Sequence, residues 1–213
     1  MHKFILAATS GVALLASAAS AQDTQSLDVS GFDSVDAGGG FRVVVTMGDT
    51  QSVRFEGDGD DFEKIDYDVR GRELRLDQES RWFVRRHDID VTVYVTMTEV
   101  DSLDFARGIS VDVSGVSGTN MDLDVSTGAE VSVSGQCVAL NVDISTGAEL
   151  DARELVCARV DADASTGAVG RVHATDEIEA HASMGATLQV FGNPERSDVH
   201  SSMGGNVRIS RTG

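Results

Sequence analysis

Proline, cysteine, aromatic rings and positive charge are all scarce in this sequence. Its 213 residues include one proline, two cysteines and 5% aromatics. So few rings exclude a core built on large side chains. The 22 glycines, with many Val, Ala and Ser, point instead to thin repeated layers. Lys and Arg number 17 against 35 Asp and Glu, a formal net charge of −18. That balance excludes nucleic acid, which needs a basic footprint, and broad contact with anionic membranes. It leaves basic partners and divalent cations open. An HExxH zinc site, a phosphate-binding loop and a nucleophile elbow are all absent from the sequence. No long amphipathic helix is expected anywhere after the first residues.

The first 21 residues read as a secretory signal peptide. Met1, His2 and Lys3 make a basic start, and Phe4 to Ala16 an apolar run too short to span a bilayer comfortably. Ala19-Ser20-Ala21 supplies small residues for cleavage ahead of Gln22. No cysteine lies beside the cut, so no lipid anchor is expected. The mature chain, without a transmembrane segment, is expected in the periplasm or outside the cell. Removing Lys3 would take its charge from −18 to −19.

Residues 22–30 read as a flexible lead-in, and 31–100 as a β-rich N-terminal region. Phe41 to Val45, Ser52 to Glu56, Ile65 to Val69, Glu73 to Asp77 and Ile89 to Val95 alternate with period two between Gly or Asp turn signals. Arg70-Gly71 suggests a tight hairpin turn. Asp61 could cap one helical turn. The acidic group around it, Glu56 to Glu63, fails as a calcium loop because Phe62 stands where an oxygen ligand is needed.

Residues 101–213 repeat. Ser126-Thr127-Gly128-Ala129 recurs at 145–148 and 165–168, continues as Ser183-Met184-Gly185-Ala186 and Ser202-Met203-Gly204-Gly205, and begins in degraded form at Ala106-Arg107-Gly108-Ile109. Successive glycines are 20, 19, 20, 18 and 19 residues apart. A fixed period of this length with β alternation inside it is the signature of a solenoid. Positions one, three and five before each repeat Ser are apolar in most coils and should point inward, as Leu140, Val142 and Ile144 do before Ser145. The glycine either takes a backbone geometry that a Cβ forbids or lets coils approach closely. The fold class expected is therefore all-β: a single-stranded parallel β-helix of about 19–20 residues per coil after a β-rich region that caps or extends it.

The segment Gly31-Phe32-Asp33-Ser34-Val35, the strand Phe41 to Thr46, the strand Ile89 to Thr96 with Val100-Asp101-Ser102-Leu103, and the glycine-punctuated repeat together resemble the putative auto-transporter adhesin head GIN domain family. The resemblance covers roughly Gly31 to Ser210. It implies an all-β fold ending in a β-helix, and an exported protein with adhesive or binding roles. It carries no catalytic residues. The sequence ends at Gly213 with no segment long enough for an outer-membrane barrel, so self-translocation is not expected.

Stacked coils set equivalent residues about 4.8 Å apart. Two before each repeat Ser stand Asp104, Asp124, Asp143, Asp163, His181 and His200; four before it stand Ser102, Asp122, Asn141, Asp161, Glu179 and Asp198. Both sets alternate with the apolar positions and should face outward as a strip two columns wide. Like charges at that spacing repel by roughly 1 kcal/mol per pair in water. The strip is either a solvated polar face or a site that recruits a counter-ion. Oxygen ligands would favour calcium or magnesium, and the histidines a transition metal such as zinc.

Cys137 and Cys157, one repeat apart, should stack in adjacent coils and form a structural disulfide. Arg81, Trp82, Phe83, Arg85 and Arg86 break the acidic trend: the segment is either a binding knob or an apolar contact with the solenoid. Arg153, Arg159 and Arg171 border the strip, which keeps a polysaccharide lyase-like enzyme as an alternative to a non-catalytic, adhesin-like or structural envelope protein. An envelope protein or a glycan is the partner expected. The last coil carries Ser197 and Ser201 inside and Arg208 and Arg211 on its edge, which suits a protected end or an end-to-end dimer.

Overall fold

A computed structural model describes residues 22–78 and 89–210. Segment 79–88, with Arg81, Trp82, Phe83, Arg85 and Arg86, lies outside those residues, as do the first 21. One sheet winds into a β-solenoid of about five turns. Its parallel ladder runs through β8 (Ser102–Ala106), β9 (Ser110–Val125), β10 (Glu130–Ile144), β11 (Glu149–Ala164) and β12 (Val169–Ala182), ending in β13 (Thr187–Phe191), β14 (Arg196–Ser201) and β15 (Asn206–Ser210). Each of the strands β9 to β12 runs from one left-handed, glycine-containing turn to the next and bends midway to close its coil.

The alternation expected from the repeat is what the core shows. Leu123, Val125, Leu140, Ile144, Leu150, Ala162, Leu188 and their neighbours are buried in one continuous stack. Small side chains suit this interior, because two faces of one coil must meet across a narrow gap.

The turns have one geometry. Thr127, Thr146 and Thr166 take φ of 50°, 53° and 51°, and the glycines after them 72°, 70° and 72°. Two consecutive left-handed residues, closed by an Ala129 N–H to Ser126 O bond of 3.1 Å, make a type I′ turn. A Cβ on any of these glycines would meet nothing within 4 Å. Backbone conformation, not close approach of coils, is therefore what the glycine serves. Each turn is also tied to the next: Gly128 N–H donates to Thr146 O, Gly147 to Thr166 O and Gly167 to Met184 O, all at 3.1 Å.

Coil length varies at the opposite corner. Register slips between β9, β10, β11 and β12 fall at residues 132–139 and 152–159, away from the turns. Cys137 pairs with Cys157 across this corner, and the two are joined in a disulfide with a Cα–Cα distance of 4.5 Å.

The N-terminal region continues the same ladder. β2 (Ser34–Gly38) lies parallel between β8 and β6 (Glu73–Gln78); β3 (Arg42–Met47) lies parallel between β9 and β7 (Val91–Met97). Beyond β6 and β7 the pairing becomes antiparallel: β4 (Ser52–Gly57) on β7, β1 (Asp23–Leu27) on β4, and β5 (Ile65–Arg70) on β6. Rings of Phe62 and Tyr67 pack edge-on against Phe55 at 5.8 and 5.9 Å, closing this end.

Two expectations change. Residues 22–30 are not a flexible lead-in throughout, because β1 pairs along β4. The cap of the short helix α1 (Gly59–Phe62) is Asp58, which accepts from Asp60 N–H, whereas Asp61 sits inside the helix and accepts from Asp90 N–H at 3.0 Å.

The C-terminal end is open. β14 is exposed along its whole length, and Val199 and Ser201 occupy inward positions that no later described coil covers. Val207 and Ile209 are only half-buried.

The disulfide closes a 20-residue separation at the corner where register slips. A link over such a loop contributes roughly 3 kcal/mol. Reducing it, or the C137S/C157S variant, is expected to lower the melting temperature by roughly 6–12 °C, read by thermal denaturation with and without reductant.

Candidate functional site

The strip predicted from the repeat exists as a ladder. Asp104 pairs with Asp124, Asp124 with Asp143, Asp143 with Asp163, Asp163 with His181, and His181 with His200. The second column runs Ser102, Asp122, Asn141, Asp161, Glu179, Asp198. All four aspartates of the first column are exposed, as are Asp122, Asp161, Glu179 and Asp198.

The ladder is one rung longer than the repeat suggests. Asp36 of β2 pairs with Asp104. Its signal was present, since Val35-Asp36-Ala37-Gly38 parallels Leu103-Asp104-Phe105-Ala106, but a 68-residue sequence gap separates the two segments. Arg107, in the first of the left-handed turns, reaches back across Gly38 to Asp77 Oδ1 at 2.6 Å. Arg75 of β6 stands beside Asp36 as the next member of the column and is bonded to Glu73. Arg75 and then Arg107 oppose the upward shift of Asp36, and Arg107 opposes that of Asp104.

Stacking raises the carboxyl pKa values. For Asp104, partial burial comes first and the Asp124 and Asp36 charges follow; together they push it up to about 6. Asp124 and Asp143 are raised by burial and then by the next aspartate along. Asp161 is raised by burial and then by Glu179. In the second column the repulsion is relieved once, where Asn141 Nδ2 donates to Asp122 Oδ1 at 2.8 Å.

At the histidine end the two rings lie 5.0 Å apart between centroids. His181 Nε2 is 3.4 Å from Glu179 Oε1, and His200 Nε2 is 3.0 Å from Asp198 Oδ1. Beside them a shallow groove of about 440 Å³ runs across the coils, with Arg159, Glu177 and Arg196 on one side and Asp161, Glu179 and Asp198 on the other. Arg196 holds Glu177 through two bonds, of 2.8 and 3.2 Å.

The arginines of the lyase-like alternative are not assembled with the acids. Arg171 is bound to Glu149 at 2.6 Å and Arg153 to Asp151 at 2.5 and 2.8 Å, all in the strand halves that follow the turns. Arg159 alone of the three shares a face with the ladder. Among the described residues no three His, Cys, Asp or Glu side chains converge around a point where an ion would sit. The carboxylates form a line, not a cage.

The sequence matches the family described as "Putative auto-transporter adhesin, head GIN domain" across residues 31–194. The chain belongs to this family. No curated protein matches the sequence. Among solved structures, the GIN-domain chain resembles a putative adhesin from Bacteroides fragilis NCTC 9343, with TM-score 0.70, 17% identity, and coverage of 91% of this chain and 98% of that one. It also resembles a putative lipid binding protein from Parabacteroides distasonis ATCC 8503, with TM-score 0.51, 13% identity, and coverage of 91% and 98%. At these identities the likeness establishes the fold. No helix among the described residues is long and apolar enough to cross a membrane.

Raised carboxyl pKa values mean that the folded ladder holds protons the unfolded chain releases. Their stabilising effect is full below about pH 4 and is lost as pH rises through about 6. Asp151 and Glu177, lowered by bonds to Arg153 and Arg196, act oppositely and lose their contribution as pH falls below about 4. Melting temperature is therefore expected to peak near pH 4 and to fall as pH rises through about 6. Asp104→Asn should raise it at pH 7.5 and flatten its fall between pH 5 and 7.5, which thermal melts across pH would show.

Proposed function

We propose that this GIN-domain protein is exported by a signal peptide cleaved after Ala21 and acts in the cell envelope as a non-catalytic binding module. Its contact face is the ladder of Asp36, Asp104, Asp124, Asp143 and Asp163. The single observation that supports this most is an electrostatic contrast. Most acids in the strand halves after the turns are matched with arginine, as in Arg42–Asp112, Arg153–Asp151 and Arg171–Glu149. The ladder instead stacks five carboxylates in consecutive rungs, with arginine only at one end, where Arg75 follows Asp36 in the column and Arg107 lies in the adjoining turn. A surface whose own carboxylates repel gains when an outside cation joins them. The family's adhesive description agrees with a binding role.

The partner that fits is a basic polypeptide segment of an envelope protein. Its cationic side chains would sit over columns about 4.8 Å apart along the solenoid axis. Binding of this kind is fast and falls with salt.

The test uses immobilised poly-lysine as the basic probe and a panel of neutral and acidic glycans beside it. The D104N/D124N/D143N/D163N variant is compared with a variant lacking four exposed carboxylates elsewhere, Asp28, Asp49, Asp66 and Glu195. At roughly 0.2–1 kcal/mol per exposed pair, loss of the ladder should weaken poly-lysine binding about tenfold. The control variant should bind nearly as the parent does. Equal losses in both variants, or salt-insensitive binding to a neutral glycan alone, would contradict the reading. N-terminal sequencing of the exported protein should begin at Gln22.

A further inference from the structure

Two columns of the solenoid change residue type together. In the outward column the coils carry Asp104, Asp124, Asp143 and Asp163, then His181 and His200. At the first left-handed turn position they carry Arg107, Thr127, Thr146 and Thr166, then Met184 and Met203. The same two coils therefore exchange hard oxygen for imidazole in one column and hydroxyl for thioether in the other. Nothing in the fold requires this. The turn keeps its geometry, with φ of 48° and 45° at the methionines against 50–53° at the threonines. The strand keeps its register, with His181 beside His200.

Both methionines are exposed, by 50% and 72%, although methionine is normally a core residue. The chain's other methionines with described side chains differ: Met97 and Met121 are buried and Met47 is half-buried against the core. Each exposed methionine follows its histidine by three residues, at the end of the same outer strand. Parallel stacking brings the two copies of this pair to one corner of the solenoid. The histidine rings already lie 5.0 Å apart. Each ring directs Nε2 at a carboxylate two residues earlier, on Glu179 and Asp198. That contact orients the imidazole and leaves Nδ1 without a partner among the described residues. A carboxylate bound to one ring nitrogen, fixing the ring while the other nitrogen meets a metal, is the usual support of a histidine ligand.

We infer that His181, Met184, His200 and Met203 form a binding site for a soft monovalent cation, copper(I). Thioether sulfur and imidazole nitrogen select that ion. Calcium and magnesium prefer the oxygens of the ladder, and zinc prefers thiolate, imidazole or carboxylate over thioether. Neutral imidazole binds without releasing a proton, and no electron is transferred. The site does not depend on the adhesive reading, because it uses no aspartate of the ladder's first column.

The experiment titrates the full exported chain with silver(I), an air-stable stand-in, and with copper(I) anaerobically against a chromogenic chelator. Methyl resonances of the methionines are followed by NMR. One equivalent is expected to bind, with the ε-methyl signals of Met184 and Met203 shifting while those of Met47, Met97 and Met121 stay in place. The variants M184T/M203T and H181D/H200D install the residues that earlier coils carry, so the fold should persist, as circular dichroism and melting would verify. Each should abolish stoichiometric binding. No binding of either ion, unchanged affinity in M184T/M203T, or displacement of the bound ion by equimolar zinc would overturn the inference.

Discussion

Everything on the surface of this protein depends on the phase at which successive coils begin. That phase is set by a two-residue left-handed turn. Placing a β-branched residue at positive φ costs on the order of 1–2 kcal/mol, yet Thr127, Thr146 and Thr166 all do so. The return is that the following glycine N–H points along the solenoid axis to the next coil's turn carbonyl. The ladder of hydrogen bonds therefore runs through the turn without a break. With the turns locked, length differences of one or two residues are pushed to the far corner, where register slips and the disulfide holds the chain. Columns near the turns stay aligned over six coils, and the outward acids inherit that alignment.

Alignment has an electrostatic consequence. Side chains that would avoid one another on a flexible surface are held about 4.8 Å apart by the backbone. The cost of partial burial comes first, their mutual repulsion adds to it, and both appear as raised carboxyl pKa values along Asp104, Asp124 and Asp143. The chain does not spread this stress evenly. It relieves the second column with Asn141, pairs most acids after the turns with arginine, and ends the first column in two histidines. On the proposed reading, that arrangement favours a cationic partner at one face of the fold.

The solenoid was legible because its signals are periodic. Glycines at 108, 128, 147, 167, 185 and 204 set the coil, and alternation before each Ser predicted which side chains go inside. The stacking of Cys137 on Cys157 followed from the same arithmetic. Non-local pairing was less legible. That β2 lies between β6 and β8 is out of chain order, and the likeness of Val35-Asp36-Ala37-Gly38 to Leu103-Asp104-Phe105-Ala106 does not by itself place Asp36 beside Asp104 across so long a sequence gap. The cap at Asp58 was misplaced to Asp61 because several acids crowd that turn and any could accept a backbone N–H. The threonines at positive φ contradict local propensity, and only the inter-coil bond explains them. Methionine at that position leaves the repeat period unchanged, and its exposure is a property of the folded turn that the sequence pattern does not carry.

The central claim is that the turns, though exposed, are bonded parts of the ladder. Hydrogen exchange of the repeat glycine amides tests it most directly. Gly128, Gly147 and Gly167 N–H groups donate to the following coil, whereas no described coil follows Gly204. The first three are predicted to exchange as slowly as the amides of the flanking strands, and Gly204 to exchange fast. Exchange of all four at the rate of free surface turns would contradict the account.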